Sequence, residues 1–243
     1  MKKYRERFYR YQGIKPELVG FQVKVRETDL WVKAERDLSK ETKNLVHTYR
    51  KHIEDFIRDN PLFLKSLTPI PIPDFTVPAI VREMIMASQH AGTGPMAAVA
   101  GAIASRVGKG LKKYTSEIIV ENGGDCFLSM RRPVEVGIYA GESPLSNKIA
   151  VRFTPDKLPV GICTSSGTVG HSLSFGKADA VTVISKNAAL ADAAATALGN
   201  IVKKPQDINS ALEMAQNIAG LLGIVIIIGD RLGAWGEVEL VHW

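Results

Sequence analysis

The order in which strand-like and helix-like segments follow one another is the sequence feature that most constrains this fold. Residues 19–34, VGFQVKVRETDLWVKA, alternate apolar and polar positions around a Glu-Thr-Asp turn, which predicts a β-hairpin. Further short strand patterns fill residues 116–185, and a final strand pair, GIVIIIGD and GEVELVHW, closes the chain. Helix patterns come in pairs between these runs of strands. The sequence therefore predicts an α+β fold rather than a doubly wound parallel sheet.

The predicted helices share apolar positions at helical spacing and ends marked by proline or glycine. The first carries Leu45, Tyr49 and Ile53 on one face and stops at Asn60-Pro61. The others cover residues 78–88, 96–113, 188–198 and 206–222. The helix containing MAAVAGAIAS is rich in alanine and glycine, so its backbone can approach a neighbour or a ligand closely. Close packing against a sheet is the more common reason for such small residues.

Length and composition predict one domain with a sizeable core. The chain has 243 residues, of which 45% are hydrophobic, and 23% are charged. We assign a single domain, residues 1–243, with the hairpin and first helix at 14–60. A proline-rich crossing, TPIPIPDFTVP at 68–78, predicts an extended segment, and residues 79–243 form the core.

Cysteine usage and apolar runs predict a cytoplasmic protein without a membrane segment. Cys126 and Cys163 are the only cysteines, and no secretory segment precedes them, so free thiols in a reducing compartment are expected. The longest apolar run, residues 224–228, is far shorter than the ~20 residues of a spanning helix, even with the two leucines before it. It predicts a buried strand.

The net charge of +6 is concentrated in the first ten residues, where lysines and arginines alternate with aromatic rings. Such an arm could place its charges on phosphates and its rings on bases. Alternatively, the arm packs its rings on the body of the protein and leaves its charges in water. We favour the second reading, because no folded basic face accompanies the arm in the sequence. A nucleic-acid partner is therefore not expected.

Two polar junctions that contain glycine are candidate ligand-binding sites. Gly92, Thr93 and Gly94 precede a helix whose free N–H groups would bind an anion, although a plain turn between helices fits equally well. Asn122-Gly123-Gly124-Asp125 predicts a tight hairpin turn. Its second glycine and its acid also make it a candidate surface for the close approach of a ligand.

A third junction, CTSSGTVGHSLSFG at residues 163–176, separates two strongly apolar segments. Its hydroxyls and its first glycine would wrap a phosphate or a polar ring: Thr164, Ser165, Ser166, Gly167 and Thr168. Cys163 and His171 would act as nucleophile and base if the loop folds back on itself. The alternatives are a buried cysteine and a hydrogen-bonded histidine.

Asp192 and Thr196 stand four residues apart on a predicted helix, with only alanines between them. That spacing places a carboxylate and a hydroxyl on one helix face, a combination that suits a hard cation such as Mg²⁺. The alternative is an acid near a helix start beside a threonine that bonds to its own backbone.

Four motifs in order resemble the ApbE-like superfamily, whose best-known members move FMN from FAD onto a threonine of a target protein. The motifs are GGD at 123–125, TSSG at 164–167, VTVIS at 181–185 and ADAAATAL at 191–198. The stretch GICTSSGTVGHSLSFGKADAVTVIS is similar to a branch of that superfamily found largely in archaea and anaerobic bacteria. The resemblance covers roughly residues 92–199.

The resemblance implies a T-fold-related architecture, with mixed or antiparallel sheets packed against helices and a ligand cleft between two halves. It implies Mg²⁺ at Asp192 and Thr196, with the carbonyl of Ala104 as a further ligand, FAD or FMN as the flavin, and a protein substrate. One departure matters: the transferases carry a His-x-x-Asp-Pro-x-Thr-Gly segment that this sequence lacks, and His171 follows Gly167 by only four residues.

Two classes of function follow from these observations. The first is a cytoplasmic enzyme that binds a phosphate-bearing small molecule, a flavin or a nucleotide, with Mg²⁺ and a cysteine-dependent transfer step. The second is a non-catalytic module that binds a flavin or another metabolite. The oligomeric state is left open, with a homo-oligomer as one option.

Overall fold

Two antiparallel sheets form the framework of the computed structural model, which describes residues 18–169 and 175–243. The strands, in chain order, are β1 (Val19–Val25), β2 (Thr28–Ala34), β3 (Ile118–Asn122), β4 (Asp125–Ser129), β5 (Val134–Gly137), β6 (Ile149–Phe153), β7 (Val160–Ser165), β8 (Ala180–Ser185), β9 (Leu221–Ile228), β10 (Arg231–Gly236) and β11 (Glu239–His242). The large sheet has the order β1-β2-β3-β4-β7-β8-β9-β10, and the small sheet has the order β11-β6-β5.

The helices pack on the large sheet. They are α1 (Ser39–Asp59), α2 (Leu62–Lys65), α3 (Ala79–Ala91), α4 (Val99–Leu111), α5 (Ala188–Ile201) and α6 (Ile208–Gln216). One apolar core joins these helices to one face of the large sheet. A second core lies between the opposite face and the small sheet. Because successive strand residues point to opposite faces, Val183 belongs to the first core and Ile184 to the second. The predicted α+β class is confirmed.

Local turn chemistry explains the two hairpins predicted from the sequence. Between β3 and β4, Gly123 (φ 76°) and Gly124 (φ 120°) both lie in the left-handed region, where glycine carries no steric penalty. Between β1 and β2 the turn residues are Arg26 and Glu27, and Arg26 has φ 53°. The turn between β1 and β2 therefore begins at Arg26, one residue before the Glu-Thr-Asp turn predicted from the sequence.

Two predictions for the C-terminal region are wrong. The helix predicted at 206–222 ends at Gln216, because Leu221 and the apolar residues after it form a central strand between β8 and β10. The segment GEVELVHW does not pair with GIVIIIGD. The partner of β9 is β10, whereas β11 leaves the large sheet and pairs with β6. The chain departs at Gly236 (φ 89°), where a side chain would overlap the Leu222 carbonyl.

Two sequence-based expectations lie outside the described residues. The basic N-terminal arm belongs to residues 1–17, and His171 belongs to residues 170–174. Within the described part of the chain, no helix combines the length and the apolar character that crossing a membrane requires.

Candidate functional site

Helix α5 is buried on almost every side and exposes one polar stripe. Asp192, Thr196 and Asn200 are partly exposed, while the alanines and leucines between them are buried. The spacing of four residues puts the three side chains above one another along about 12 Å of helix. The first two were predicted from the sequence. Asn200 was missed, although its i+8 position relative to Asp192 was a readable signal.

Small residues and a side-chain cap fix the start of α5. The Asn187 side chain accepts hydrogen bonds from the backbone N–H groups of Ala189 (3.0 Å) and Leu190 (3.4 Å). A Cβ at Gly101 of α4 would overlap the Ala188 carbonyl, and a Cβ at Gly161 would overlap Ala188 itself. The two glycines therefore allow α4 and β7 to approach the first turn of α5 at backbone distance.

Asp192 points its carboxylate at the first turn of α4. Its Oδ2 accepts a hydrogen bond from the Gly101 N–H at 2.9 Å, and the Ala100 N–H also contributes. Helix α4 has no side-chain cap of its own, so Asp192 serves as its cap from a neighbouring helix. Burial raises the pKa of Asp192 to about 7, against the opposing effect of these backbone donors.

The part of α4 that contacts Asp192 differs from the part that the family resemblance suggested. Ala104 was the expected source of a metal-binding carbonyl, yet the residues in contact with Asp192 are Ala100 and Gly101, one helical turn earlier. The carbonyl of Ala100 accepts a hydrogen bond from the Asn122 side chain at 3.2 Å. Ala104 lies fully buried in the middle of the helix.

The Asn122–Asp125 turn joins this cluster from the sheet side. The N–H of Gly123 donates to Oε1 of Glu121 at 2.8 Å, and the carbonyl of Gly124 accepts from the Thr164 N–H at 3.2 Å. The turn therefore touches α4 through Asn122 and β7 through Gly124. The turn lies beside the TSSG segment because β4 and β7 are paired in a register that places Asp125 opposite Cys163.

Asp125 is a buried carboxylate in the middle of these elements. Burial raises its pKa well above the ordinary value, and the charges of Asp192 and Glu121 raise it further. The Thr164 N–H and the Cys163 thiol oppose this rise as hydrogen-bond donors. The direction of the shift means that Asp125 holds a proton more readily than a surface aspartate does.

Cys163 has the surroundings of a structural cysteine. It is fully buried, and its thiol donates a hydrogen bond to the Ala188 carbonyl at 3.3 Å. Burial raises the pKa of this thiol well above its usual value, and the nearby Asp125 and Asp192 add to the effect. A reactive cysteine needs the opposite environment, exposed and electropositive. The predicted partner His171 lies outside the described residues, so the Cys–His pair stays a prediction.

The hydroxyls after Cys163 are engaged in local structure. Thr164 Oγ1 and Thr182 Oγ1 lie 2.9 Å apart, and Thr168 Oγ1 donates to Asp179 at 3.0 Å. Ser166 Oγ accepts from the backbone N–H groups of Thr168 and Val169, an arrangement that stabilises a turn. Ser165 is half-buried, with its Oγ near the Gly199 backbone of α5.

The base of this loop is held tightly on the end of α5. The Phe175 N–H donates to Asn200 Oδ1 at 2.9 Å, and the Lys177 N–H donates to the Val202 carbonyl at 2.8 Å. Gly167 permits close backbone contact between the two ends of the loop, because a side chain there would overlap the Gly176 carbonyl. Gly176 permits close contact with α5, because a side chain there would overlap the Gly199 carbonyl. Asn200 therefore links the exposed stripe of α5 to the loop.

The Gly92–Gly94 junction has clear structural roles. Gly92 is the left-handed residue that ends α3 (φ 74°), and its side-chain position is open. A side chain at Gly94 would overlap the Ser66 carbonyl. Thr93 is buried, and its hydroxyl has no hydrogen-bond partner within the described residues. A ligand role for these residues stays a prediction.

Ser105 is a buried polar residue that the sequence reasoning overlooked. Its hydroxyl also lacks a partner among the residues the structure describes. It lies four residues after Gly101, which faces Asp192, and three before Gly108, which faces the Phe127 ring. Asp125 precedes Phe127 by two residues and shares its face of β4. Ser105 thus belongs to the helix face that covers the buried end of the site.

The donors on α5 fit a hard divalent cation, although they do not form a complete cage. Asp192 and Thr196 offer a carboxylate and a hydroxyl, and the stripe is open to solvent. Mg²⁺ is commonly held by one or two carboxylates, with water and substrate phosphates as its other ligands. Within residues 18–169 and 175–243, no group of three or more His, Cys, Asp or Glu side chains is arranged to hold a metal.

Comparisons with known proteins agree on one family. The family model described as AbpE bacteria matches residues 12–239. A UPF0280 protein of Methanococcus aeolicus is 43% identical over 228 residues, which cover 91% of each chain. A UPF0280 protein of Methanocaldococcus jannaschii is 42% identical over 224 residues, covering 89% of this chain and 91% of the relative.

Solved structures with the same fold are named as flavin transferases. A mutant of the flavin transferase ApbE from Vibrio cholerae superposes with a TM-score of 0.59 at 14% identity, covering 90% of this chain and 97% of that one. The apo form of the Pseudomonas stutzeri flavinyl transferase ApbE gives 0.57 at 17% identity, covering 90% and 94%. At these identities the likeness is one of fold.

Proposed function

This chain belongs to the AbpE bacteria family, and from that premise we propose that it is an ApbE-like enzyme of the cytoplasm that binds FAD through a divalent cation and transfers its FMN portion. The observation that carries the proposal is the polar stripe of α5, where Asp192 and Thr196 are partly exposed on a helix that is otherwise buried. Asp192 also caps α4, but no side-chain contact of this kind among the described residues explains the partly exposed Thr196 hydroxyl beside it, and a binding role accounts for the pair.

The divalent cation, when bound, would supply positive charge to the phosphates of the ligand. Asp192 and Thr196 would hold it with oxygen ligands, as Mg²⁺ requires. The Asp192 carboxylate accepts from the Gly101 N–H and the Ala100 N–H, and because a carboxylate has about four lone-pair sites, acceptor sites remain for this role. The cap on α4 would fix the direction of the carboxylate before any ligand arrives.

The Asn122–Asp125 turn and the TSSG segment would form the walls beside the phosphates. Gly123 is exposed and Gly124 half-buried, so the turn offers backbone that a ligand can approach. Asp125, whose pKa is raised by burial, would hold its proton more readily than a surface aspartate and would therefore repel an anionic ligand less. Asn122, through the Ala100 carbonyl, would keep the turn at a constant distance from α4.

Cys163 takes no part in the chemistry that we propose. A thiol that is buried, hydrogen-bonded to Ala188 and raised in pKa would be a poor nucleophile. In the proposed step the hydroxyl of an acceptor protein attacks the flavin-side phosphorus of FAD. The bond between that phosphorus and the bridging oxygen breaks, AMP leaves with that oxygen, and the hydroxyl proton passes to solvent or to a base.

The first experiment measures FAD binding by flavin fluorescence in Mg²⁺ and in EDTA. The double variant Asp192→Asn, Thr196→Val should weaken Mg²⁺-dependent binding at least about tenfold. Asparagine keeps an oxygen for the Gly101 N–H, so the cap on α4 is preserved. The matched control is Asp230→Asn, which removes an exposed carboxylate far from the stripe in sequence. Equal Mg²⁺-dependent binding by both variants and the wild type would contradict the cation site.

The second experiment separates catalysis from binding. A catalyst should release AMP from FAD in the presence of Mg²⁺, and chromatography of the nucleotides measures this directly. A non-catalytic flavin module is the second candidate, favoured by the burial and raised pKa of Cys163, which disfavour a cysteine-dependent step. That module would return intact FAD after denaturation and form no AMP.

A further inference from the structure

A basic groove lies between the β1–β2 hairpin and the exposed face of α1, apart from the residues of the candidate site. Its volume is about 620 Å³, and its lining is Lys24, Val25, Arg26, Lys43, His47, Arg50, Lys51, Glu54 and Asp55. Five lysines and arginines face two carboxylates there. The volume is within the range of roughly 300–1,000 Å³ that is usual for small-molecule sites.

The floor of the groove is ordered by the guanidinium of Arg50. It donates to Thr28 Oγ1 at 2.8 Å, to Glu27 at 2.6 Å and to Glu54 at 2.8 Å, and only 15% of its side chain is exposed. Arg26 also pairs with Glu54 at 3.1 Å, and Lys51 pairs with Asp55 at 2.9 Å. These contacts link the hairpin to the helix, and they pair the carboxylates inside the groove with arginine or lysine.

Lys43 and His47 complete the lining and make no ion pair within the described residues. They stand four residues apart on α1, so their side chains lie one above the other on the face toward the hairpin. Both are exposed. The carboxylates of the groove already have arginine or lysine partners, so the surplus positive charge is available to a ligand.

We propose that this groove binds a compact polyphosphate anion, such as the phosphate chain of a nucleoside di- or triphosphate. Cations reach the groove from both walls, which suits a small anion with several charges better than a long polymer. No Phe, Tyr or Trp side chain lines it, so it lacks the large stacking surface by which proteins bind single-stranded nucleic acid. Recognition here is of charge, by Lys43 and the ordered arginines, with the ring N–H of His47 as a hydrogen-bond donor.

The test titrates the full-length protein with inorganic tripolyphosphate at low ionic strength and measures binding by calorimetry. The double variant Lys43→Gln, His47→Gln should weaken binding about tenfold or more. The control is Lys40→Gln, His52→Gln, which changes the same residue types on exposed positions of α1 outside the groove. The control should bind within about twofold of the wild type.

Each remaining outcome overturns the proposal. Equal affinity of the groove variant, the control and the wild type would place the binding elsewhere on the chain, for example on the N-terminal lysines and arginines. No heat of binding in the wild type would exclude the site. A single-stranded oligonucleotide or a poly-glutamate peptide that binds much more tightly, with the same loss in the groove variant, would identify a polymer as the occupant.

Discussion

Asp125 and Cys163 acquire their properties from their neighbours and not from their own chemistry. Both face the helix layer on adjacent strands, and the Cys163 thiol lies beside both the Asp125 carboxylate and the Ala188 carbonyl. Burial shifts both pKa values upward, because the charged form of each group loses its hydration. The same acid on an exposed loop would be ionised near neutral pH, and the thiol would lose the effect of burial.

Replacing Asp125 with asparagine should change how stability depends on pH. The folded protein holds the Asp125 proton more tightly than the unfolded chain does, so deprotonation of the unfolded chain costs stability as the pH rises above the ordinary aspartate pKa of about 3.9. The Asp125→Asn variant does not lose this stability as the pH rises, because asparagine does not titrate. In EDTA, the melting temperature of Asp125→Asn minus that of the wild type should increase from pH 5 to pH 8.

The control for that measurement is Asp230→Asn, whose carboxylate is exposed. Its difference from the wild type should stay constant over the same pH range. A difference for Asp125→Asn that stays constant between pH 5 and pH 8 would mean that the carboxylate is already ionised in the folded protein over this range and would contradict the prediction.

Replacing Cys163 with alanine should affect stability more than ligand binding. The substitution removes a buried sulfur and its hydrogen bond, so the free energy of unfolding should fall by about 1–2 kcal/mol. FAD binding in Mg²⁺ and release of AMP should persist below the lowered melting temperature. Loss of AMP release with full FAD binding would restore the cysteine-dependent mechanism.

At the scale of elements, the contact between α4 and α5 decides the geometry of the candidate site. The contact is made of alanine and glycine, so the two backbones come close enough for Asp192 to reach the first turn of α4. The sequence indicated a helix with an unusually small-residue surface. The partner of that surface became visible only when α4 and α5 were placed on the same sheet.

Substitution of Gly101 with alanine should be strongly destabilising, by about 1–3 kcal/mol or more. The added Cβ would overlap the Ala188 carbonyl and crowd Asp192 Cβ at 2.9 Å, and the backbone of α5 cannot yield easily. The control is Gly110→Ala in the same helix, where the added methyl meets the flexible side chain of Leu45. Because alanine favours a helix over glycine, Gly110→Ala should change the free energy of unfolding by no more than about 1 kcal/mol. Chemical denaturation of both variants provides the comparison.

At the scale of the whole molecule, one sheet separates two apolar cores. Strands β7, β8 and β9 contribute alternate residues to each core, so neither core can lose its packing without disturbing the strands that support the other. Because the two cores share these strands, we expect the described part of the chain to unfold as a single cooperative unit.

Two valine substitutions test this cooperativity from opposite faces of the sheet. Val183 is fully buried in the core with the helices, and Val225 is fully buried in the core with the small sheet. Val183→Ala and Val225→Ala should each cost about 2 kcal/mol and lower one common transition. Two resolved transitions in calorimetry, with each variant shifting a different one, would indicate two independent units.

The sequence by itself determined the hairpins, most of the helices, the buried strand β9 and two of the three polar residues of the α5 stripe. These features depend on turn chemistry and on periodicity within a few residues, which the chain carries locally. Only the tertiary structure decided that Asp192 caps α4 through Ala100 and Gly101, that Cys163 is buried, and that β11 leaves its neighbours to pair with β6. Such contacts join residues far apart in the chain. These contacts depend on strand register and on how closely two helices approach each other. Neither property can be read from a short stretch of sequence.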